Sequence, residues 1–115
     1  MQVPQGKTCE LLLYRAGRTS PEHCFEMPED EGIGEVRFLA VEGIEAEKYE
    51  YNYRIGRKIC VDPYVREVAG KEHFGQKKDV QKHQVRGKFV SPEYDWGGDT
   101  RLHLPWNEVV AYSLH

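Results

Sequence analysis

Residues 48–55 (KYEYNYRI) show the clearest alternation of polar and apolar positions in the chain. Tyr49, Tyr51, Tyr53 and Ile55 alternate with polar residues. Because successive side chains of a strand point to opposite faces, this pattern predicts a β-strand with three tyrosines on one face. Gly56 then precedes a short apolar segment at 58–61, which predicts a hairpin with the glycine at its turn.

The remaining apolar positions predict shorter strands separated by glycines and prolines. These strands lie at residues 9–14, 23–27 and 36–41. Short strands at this spacing are typical of a β-sandwich, so we expect an all-β protein with an immunoglobulin-like β-sandwich. Residues 70–86 are polar on all sides and predict an exposed loop rather than a helix.

The later part of the chain differs in composition. Residues 91–106 contain two prolines and two glycines and predict a connector, whereas residues 109–114 (VVAYSL) predict an apolar strand. An apolar strand directly before the last residue indicates a cut within a larger protein. The expected organisation is an immunoglobulin-like module at 1–70, a polar basic loop at 71–90, a linker at 91–108 and the start of a further domain at 109–115.

Length, composition and charge exclude several classes of protein. The chain has 115 residues, of which 39% are hydrophobic and 30% are charged, and its net charge is −3. No apolar run approaches the roughly 20 residues of a transmembrane helix, and nucleic-acid-binding domains are usually basic. We therefore expect neither a membrane nor a nucleic acid as partner. The first residues lack a secretory signal pattern, which predicts a cytoplasmic, bacterial location.

The cysteines and histidines give no sign of a disulfide framework or a metal site. Cys9, Cys24 and Cys60 are far apart in the sequence, and no two of them form a CxxC motif. This spacing favours free thiols in a reducing compartment. One disulfide with one free thiol is the alternative. The five histidines lack the short spacings of zinc ligands. We expect no metal and no cofactor.

Two segments carry a more specific resemblance. Residues 48–68 (KYEYNYRIGRKICVDPYVREV) combine a tyrosine-rich strand, a glycine turn, a second strand and Asp-Pro-Tyr. This order resembles the family-48 carbohydrate-binding module, the immunoglobulin-like N-terminal domain of family-13 glycoside hydrolases of the pullulanase, glycogen-debranching and isoamylase type. Residues 94–115 (YDWGGDTRLHLPWNEVVAYSLH) resemble the linker and first barrel strand of the same enzymes. The matching residues are Asp95, Trp96, Asp99, Pro105, Trp106, Tyr112 and His115.

The resemblance implies the chemistry of a larger protein. Such enzymes hydrolyse α-1,6-glucosidic bonds in glycogen, starch or pullulan, using an aspartate nucleophile and a glutamate acid/base on later strands of a (β/α)8 barrel. Those strands are absent from this sequence, so the resemblance implies a non-catalytic accessory domain that braces the missing barrel. The choice between pullulanase, isoamylase-type and related α-glucan hydrolases stays open.

Weak binding of α-glucan is a second implication of the resemblance. Glycogen-binding modules of this family use two tryptophans and a lysine, and the corresponding positions fall near Cys24, at Glu50 and near Lys58, so the usual site is incomplete. Aromatic faces and polar edges suit sugars. The remaining candidate contacts are Tyr49, Tyr51, Lys58 and Trp96. The alternation of residues 48–55 favours a core position for the two tyrosines.

Contacts with the barrel are expected from a tight turn and two tryptophans. Pro63 presets its own φ and the Asp62 carboxylate can accept backbone N–H groups, so the Asp-Pro-Tyr segment predicts a fixed chain reversal. The candidate packing residues are Asp62, Pro63, Tyr64, Trp96 and Trp106. Two alternatives remain, a stand-alone α-glucan-binding module and a protein-interaction module. An exposed terminal strand would also allow two copies to pair.

Overall fold

The computed structural model describes residues 1–90 and 95–114. Within these residues the chain forms strands and single-turn 3₁₀ helices without an α-helix, which confirms the all-β class. The strands are β1 (Cys9–Arg15), β2 (His23–Glu26), β3 (Gly32–Ile33), β4 (Val36–Arg37), β5 (Tyr49–Ile55), β6 (Lys58–Cys60), β7 (Val68–Ala69) and β8 (Arg86–Lys88). The 3₁₀ turns are Ala46–Lys48, Val80–Lys82 and Trp106–Glu108. The immunoglobulin-like sandwich stays a prediction.

Strand β5 lies at the centre of a six-stranded antiparallel sheet with the order β2-β1-β5-β8-β7. It pairs with β1 over its whole length, from Cys9 opposite Ile55 to Arg15 opposite Tyr49. Two strands share its other edge, because β8 pairs with the first half of β5 and β6 with the second half. Strands β3 and β4 form a separate two-stranded sheet.

Both faces of β5 are covered, which explains its mixture of aromatic and polar residues. Tyr49 and Tyr51 are each 8% exposed and pack with Leu13, on the face that the alternation predicts for the tyrosines. On the opposite face Asn52 is fully buried, and its side-chain Nδ2 donates to the Val85 carbonyl at 3.1 Å. Leu12, Tyr14 and Ile59 form the apolar cluster on this second face.

The segment 71–90, expected as a loop, contributes a strand to the sheet. Strand β8 pairs with β5 and β7, so the sheet extends past residue 70. The Arg-Gly-Lys sequence of β8 has no apolar alternation to reveal it. A Cβ added to Gly87 would lie 2.7 Å from the Tyr51 ring, so this strand position requires glycine because the ring crosses over it.

Two other predicted strands differ from the structure. The strand expected at 36–41 is limited to β4, and Phe38 is 56% exposed. The strand expected at 109–114 does not form within the described residues, where Val110 and Leu114 are 74% and 91% exposed. A strand requires a neighbour for its backbone groups, and no described strand pairs with this segment.

The predicted linker and last strand are described only in part. Residues 91–94, including Tyr94, and His115 lie outside the described residues. Among the residues that are described, no helix is long and apolar enough to cross a membrane.

Candidate interdomain contact surface

The Asp62-Pro63-Tyr64 turn follows β6 and is fixed by its own aspartate. The Asp62 carboxylate accepts the Tyr64 backbone N–H at 2.9 Å and the Tyr51 hydroxyl at 3.0 Å. The Asp62 carbonyl accepts the Val65 N–H at 3.2 Å. Proline holds φ near −65°, so the three residues form a rigid reversal, as the sequence predicts. Tyr64 projects from it with 90% of its surface exposed.

Tyr51 connects this turn to the core. Its ring stacks on Phe89 with centroids 4.6 Å apart and meets the edge of Tyr53 at 5.9 Å. Burial raises the pKa of the Tyr51 hydroxyl, and the hydrogen bond to the negative Asp62 carboxylate raises that pKa further. The hydroxyl therefore stays protonated at neutral pH and donates to the carboxylate, which anchors the turn from below.

A groove of about 640 Å³ opens beside the turn. It is lined by the N-terminal segment, by residues next to and within β4, and by the turn itself. The lining residues are Met1, Gln2, Pro4, Glu35, Val36, Asp62, Pro63 and Tyr64. Methionine, proline, valine and tyrosine provide most of its wall, so an apolar protein surface would suit it better than a charged ligand.

Hydrogen bonds to β4 hold the N-terminal wall of the groove in place. The Val3 N–H donates to the Glu35 carbonyl at 2.8 Å, and the Met1 amino group donates to the Arg37 carbonyl at 2.8 Å. Val3 is 1% exposed and packs with Cys9 beneath this segment. The groove is thus built from regions far apart in sequence and is formed in the isolated chain.

The residues predicted to contact sugar differ in burial and lie on different segments of the chain. Tyr49 and Tyr51 are core residues whose hydroxyl groups donate to Glu22 at 3.0 Å and to Asp62 at 3.0 Å, so neither ring face is offered to a sugar in this conformation. Lys58 is exposed at the start of β6, and Trp96 is 68% exposed in a separate segment. Glucan binding by these residues stays a prediction.

The residues predicted to pack on another domain are all exposed or half-buried. Asp62, Pro63 and Tyr64 lie together at the groove, whereas Trp96 and Trp106 belong to the segment 95–114 and do not line it. Trp106 is 90% exposed in its 3₁₀ turn. Sequence reasoning missed the contributions of Met1 to Pro4 and of Val36, because only the folded chain brings them to the turn.

The described residues include no cluster suited to a metal ion, and their three cysteines are free thiols. Within ranges 1–90 and 95–114, no group of three or more histidine, cysteine, aspartate or glutamate side chains is placed to hold a metal ion. Cys9 is buried, Cys24 is exposed and Cys60 is half-buried, and all three are free thiols. Burial raises the pKa of the Cys9 thiol, which keeps it protonated and unreactive.

The chain is similar to part of several much longer curated proteins. Isoamylase 3, chloroplastic, of Oryza sativa subsp. japonica is 30% identical in a 97-residue alignment that covers 71% of this chain and 12% of that protein. The glycogen operon protein GlgX homolog of Haemophilus influenzae is 31% identical in a 94-residue alignment that covers 67% of this chain and 14% of that protein. Isoamylase 1, chloroplastic, of Arabidopsis thaliana is 29% identical in a 70-residue alignment that covers 57% of this chain and 9% of that protein.

These homologues are proteins of the isoamylase and GlgX type, and the chain spans only 9–14% of their length. No protein-family model matches the chain. No solved structure matches it significantly.

Proposed function

We propose that this chain is a non-catalytic accessory domain of an α-1,6-glucan-debranching glycoside hydrolase of the isoamylase or GlgX type. Its role is to brace the catalytic domain of that enzyme, which acts on glycogen or a related α-glucan. The proposed domain corresponds to the family-48 carbohydrate-binding type, with residues 109–115 entering the catalytic barrel. We further propose that the enzyme works in the cytoplasm.

One observation carries this proposal. More than two thirds of the chain aligns with the rice isoamylase and with the Haemophilus GlgX homolog, yet the aligned part is no more than 14% of either protein. A segment of that size has the length of one small domain. This coverage supports the proposal, which assigns the catalytic machinery to the part of the enzyme that this chain does not contain.

The groove beside Asp62-Pro63-Tyr64 is the proposed contact with the catalytic domain. Tyr64 is 90% exposed, although its backbone is fixed by the Asp62 carboxylate. An aromatic side chain that projects from a rigid backbone loses little conformational freedom on binding, which is typical of the residues that dominate protein interfaces. The groove supplies an apolar wall next to it, so an apolar protein surface is the partner that fits.

The segment 95–114 supports the same reading, because it exposes apolar side chains that a folded enzyme would bury. Trp106, Tyr112 and Leu114 are 90%, 85% and 91% exposed. Exposed apolar groups at this density mark contacts with another protein surface. In the proposed enzyme these side chains pack within the catalytic domain and at its junction with the β-sheet domain.

The test of the proposed function is an activity comparison between the 115-residue chain and the complete reading frame that contains it. Release of reducing ends from glycogen and pullulan is measured for both proteins, with α-1,4-linked maltoheptaose as the unbranched control. The complete protein is expected to hydrolyse α-1,6 bonds of these substrates and the 115-residue chain to hydrolyse none. A reading frame that ends at residue 115, or one without debranching activity, would contradict the proposal.

A pair of matched variants tests the docking surface in the complete protein. Tyr64→Ser removes the projecting ring from the groove, and Phe74→Ser removes the 108% exposed ring at the tip of the loop 71–85. We expect Tyr64→Ser to lower the midpoint of thermal inactivation and Phe74→Ser to leave it unchanged. Equal effects of the two variants would show that Tyr64 is no more important than any exposed aromatic residue.

A further inference from the structure

The loop 71–85 covers one face of the main sheet and is attached to it through side chains. Val80 packs against the cluster of Leu12, Tyr14 and Ile59. The Gln81 amide makes two bonds to the backbone of Ile59, accepting its N–H at 3.0 Å and donating to its carbonyl at 2.7 Å. These two bonds imitate the pairing of a neighbouring strand, so the loop closes the outer edge of β6.

His83 forms the second attachment of this loop. It ends the 3₁₀ turn Val80–Lys82 with φ of 58°, a left-handed backbone conformation that directs its half-buried ring inward. Its Nδ1 lies 2.6 Å from the hydroxyl of Tyr14, and the two rings meet edge to face at 5.6 Å. Tyr14 is fully buried, so its hydroxyl hydrogen has to be donated within the protein. Neutral His83 with its proton on Nε2 accepts this hydrogen at Nδ1.

The charges around His83 oppose its protonation. The Arg86 guanidinium lies 4.3 Å over the Tyr14 ring, and its Nε donates to the carbonyl of His83 itself at 2.8 Å. Arg54 from β5 also acts on His83 as a nearby positive charge. The carboxylates on this face are already engaged, since Glu50 pairs with Arg86 at 2.8 Å and Glu10 with Arg54.

The two carboxylates of the loop both accept backbone N–H groups, Glu72 that of Gly70 at 2.7 Å and Asp79 that of Gln81 at 2.9 Å. Lys82, the residue before His83, adds a positive charge. A proton on Nδ1 would also turn this atom into a donor, so the Tyr14 hydroxyl could no longer donate its hydrogen to His83.

We propose that His83 is a pH-sensitive latch: in its neutral form it holds the loop 71–85 closed over the Leu12–Tyr14 face of the sheet, and its protonation releases the loop. Burial lowers the pKa of the closed His83 below its ordinary value, and the positive charges of Arg86 and Arg54 lower it further.

The direction of the pH dependence follows from this lowered pKa. An opened loop exposes His83 to water, where its pKa returns to about 6.5. Above that pH both states are neutral and the closed loop has its full stability. As the pH falls below about 6.5, the opened state binds the proton more readily, so closure weakens progressively.

The test combines an NMR titration with amide hydrogen exchange on the 115-residue chain between pH 5 and pH 8. The His83 ring signals are expected to titrate below the ordinary histidine value of about 6.5. Exchange of the Val80 to Val85 amides, corrected for the intrinsic rate at each pH, is expected to accelerate several-fold between pH 7 and pH 5. Protection of the Leu12 and Tyr14 amides should change far less, because β1 is paired on both edges.

Two variants separate the latch from general acid instability. His83→Asn keeps a residue that tolerates the left-handed conformation but cannot titrate, so its loop exchange should be independent of pH. Tyr14→Phe removes the hydroxyl that favours neutral His83 and should raise the pKa of His83 towards the ordinary histidine value of about 6.5. The proposal fails if His83 titrates at or above that ordinary value in the unmodified chain, or if His83→Asn retains the full pH dependence. Neither outcome bears on the debranching activity of the complete protein, so this test is independent of the proposed function.

Discussion

Replacement of Arg86 by methionine is expected to cause the largest loss of stability among the charged residues of the sheet. Its three guanidinium nitrogens each have a partner: Nη1 bonds Glu50 at 2.8 Å, Nη2 donates to the Arg18 carbonyl at 2.5 Å, and Nε donates to the His83 carbonyl at 2.8 Å. Arg86 therefore joins β8 to β5, to the turn after β1 and to the loop 71–85.

The size of the effect follows from the burial of the ion pair. The side chains of Arg86 and Glu50 are only 9% and 15% exposed. Removal of one partner of a buried pair leaves an uncompensated charge and costs about 3–5 kcal/mol. Arg54 and Glu10 form a second pair on the same face, but their side chains are 35% and 29% exposed. Ion pairs lose strength as their exposure rises, to about 0.2–1 kcal/mol at the surface, so Arg54→Met of the half-buried pair is the matched control.

Urea unfolding followed by far-ultraviolet circular dichroism measures both variants, because Trp96 and Trp106 are outside the sheet and would not report its unfolding by fluorescence. Arg86→Met is expected to lower the free energy of unfolding by about 3–5 kcal/mol and Arg54→Met by about 1 kcal/mol or less. The double variant Arg86→Met with Glu50→Leu should recover part of the loss, because it also removes the Glu50 carboxylate that Arg86→Met leaves unpaired. Equal losses for Arg86→Met and Arg54→Met would refute the reasoning.

Three further substitutions test the close contacts of the fold by the same unfolding measurement. Gly70→Ala is expected to cost more than about 3 kcal/mol, because φ is +86° and the added Cβ would lie 1.8 Å from the Gln84 carbonyl oxygen. Gly87→Ala is expected to cost about 1–3 kcal/mol, because the added Cβ would lie 2.7 Å from the Tyr51 ring and would displace it. Tyr51→Phe removes the hydrogen bond to Asp62 and should cost about 1.5–3 kcal/mol while making Tyr64 more mobile. A Gly87→Ala protein as stable as the parent would contradict the placement of β8.

Local alternation is enough to predict the strands that are buried on a recognisable face. Strand β5 is predicted because its three tyrosines share one face, and β1, β2 and β6 are found close to their expected bounds. Strand β8 is missed because its pairing depends on tertiary contacts: Gly87 makes room for Tyr51, and Arg86 is buried through an ion pair rather than through hydrophobicity. Such an environment leaves no apolar pattern in the sequence.

The candidate surface is predictable only in part for the same reason. The Asp-Pro-Tyr turn is visible in the sequence because proline and aspartate have local conformational effects. The groove beside it depends on the N-terminal segment, which reaches the turn only through hydrogen bonds to the neighbourhood of β4. Residues 109–114 show the reverse of β8, since they have the apolar pattern of a strand but form none. A strand forms only when a pairing neighbour is present.

Hydroxyl-radical footprinting of Tyr64 tests most directly whether this domain docks on a catalytic partner. The modification rate of Tyr64 is measured by mass spectrometry in the 115-residue chain and in the complete protein, with Phe74 as the reference. Both side chains are almost fully exposed in the chain, at 90% and 108%. Docking through the groove predicts a several-fold lower rate at Tyr64 in the complete protein and an unchanged rate at Phe74. Equal modification of Tyr64 in the two proteins would contradict docking at this surface.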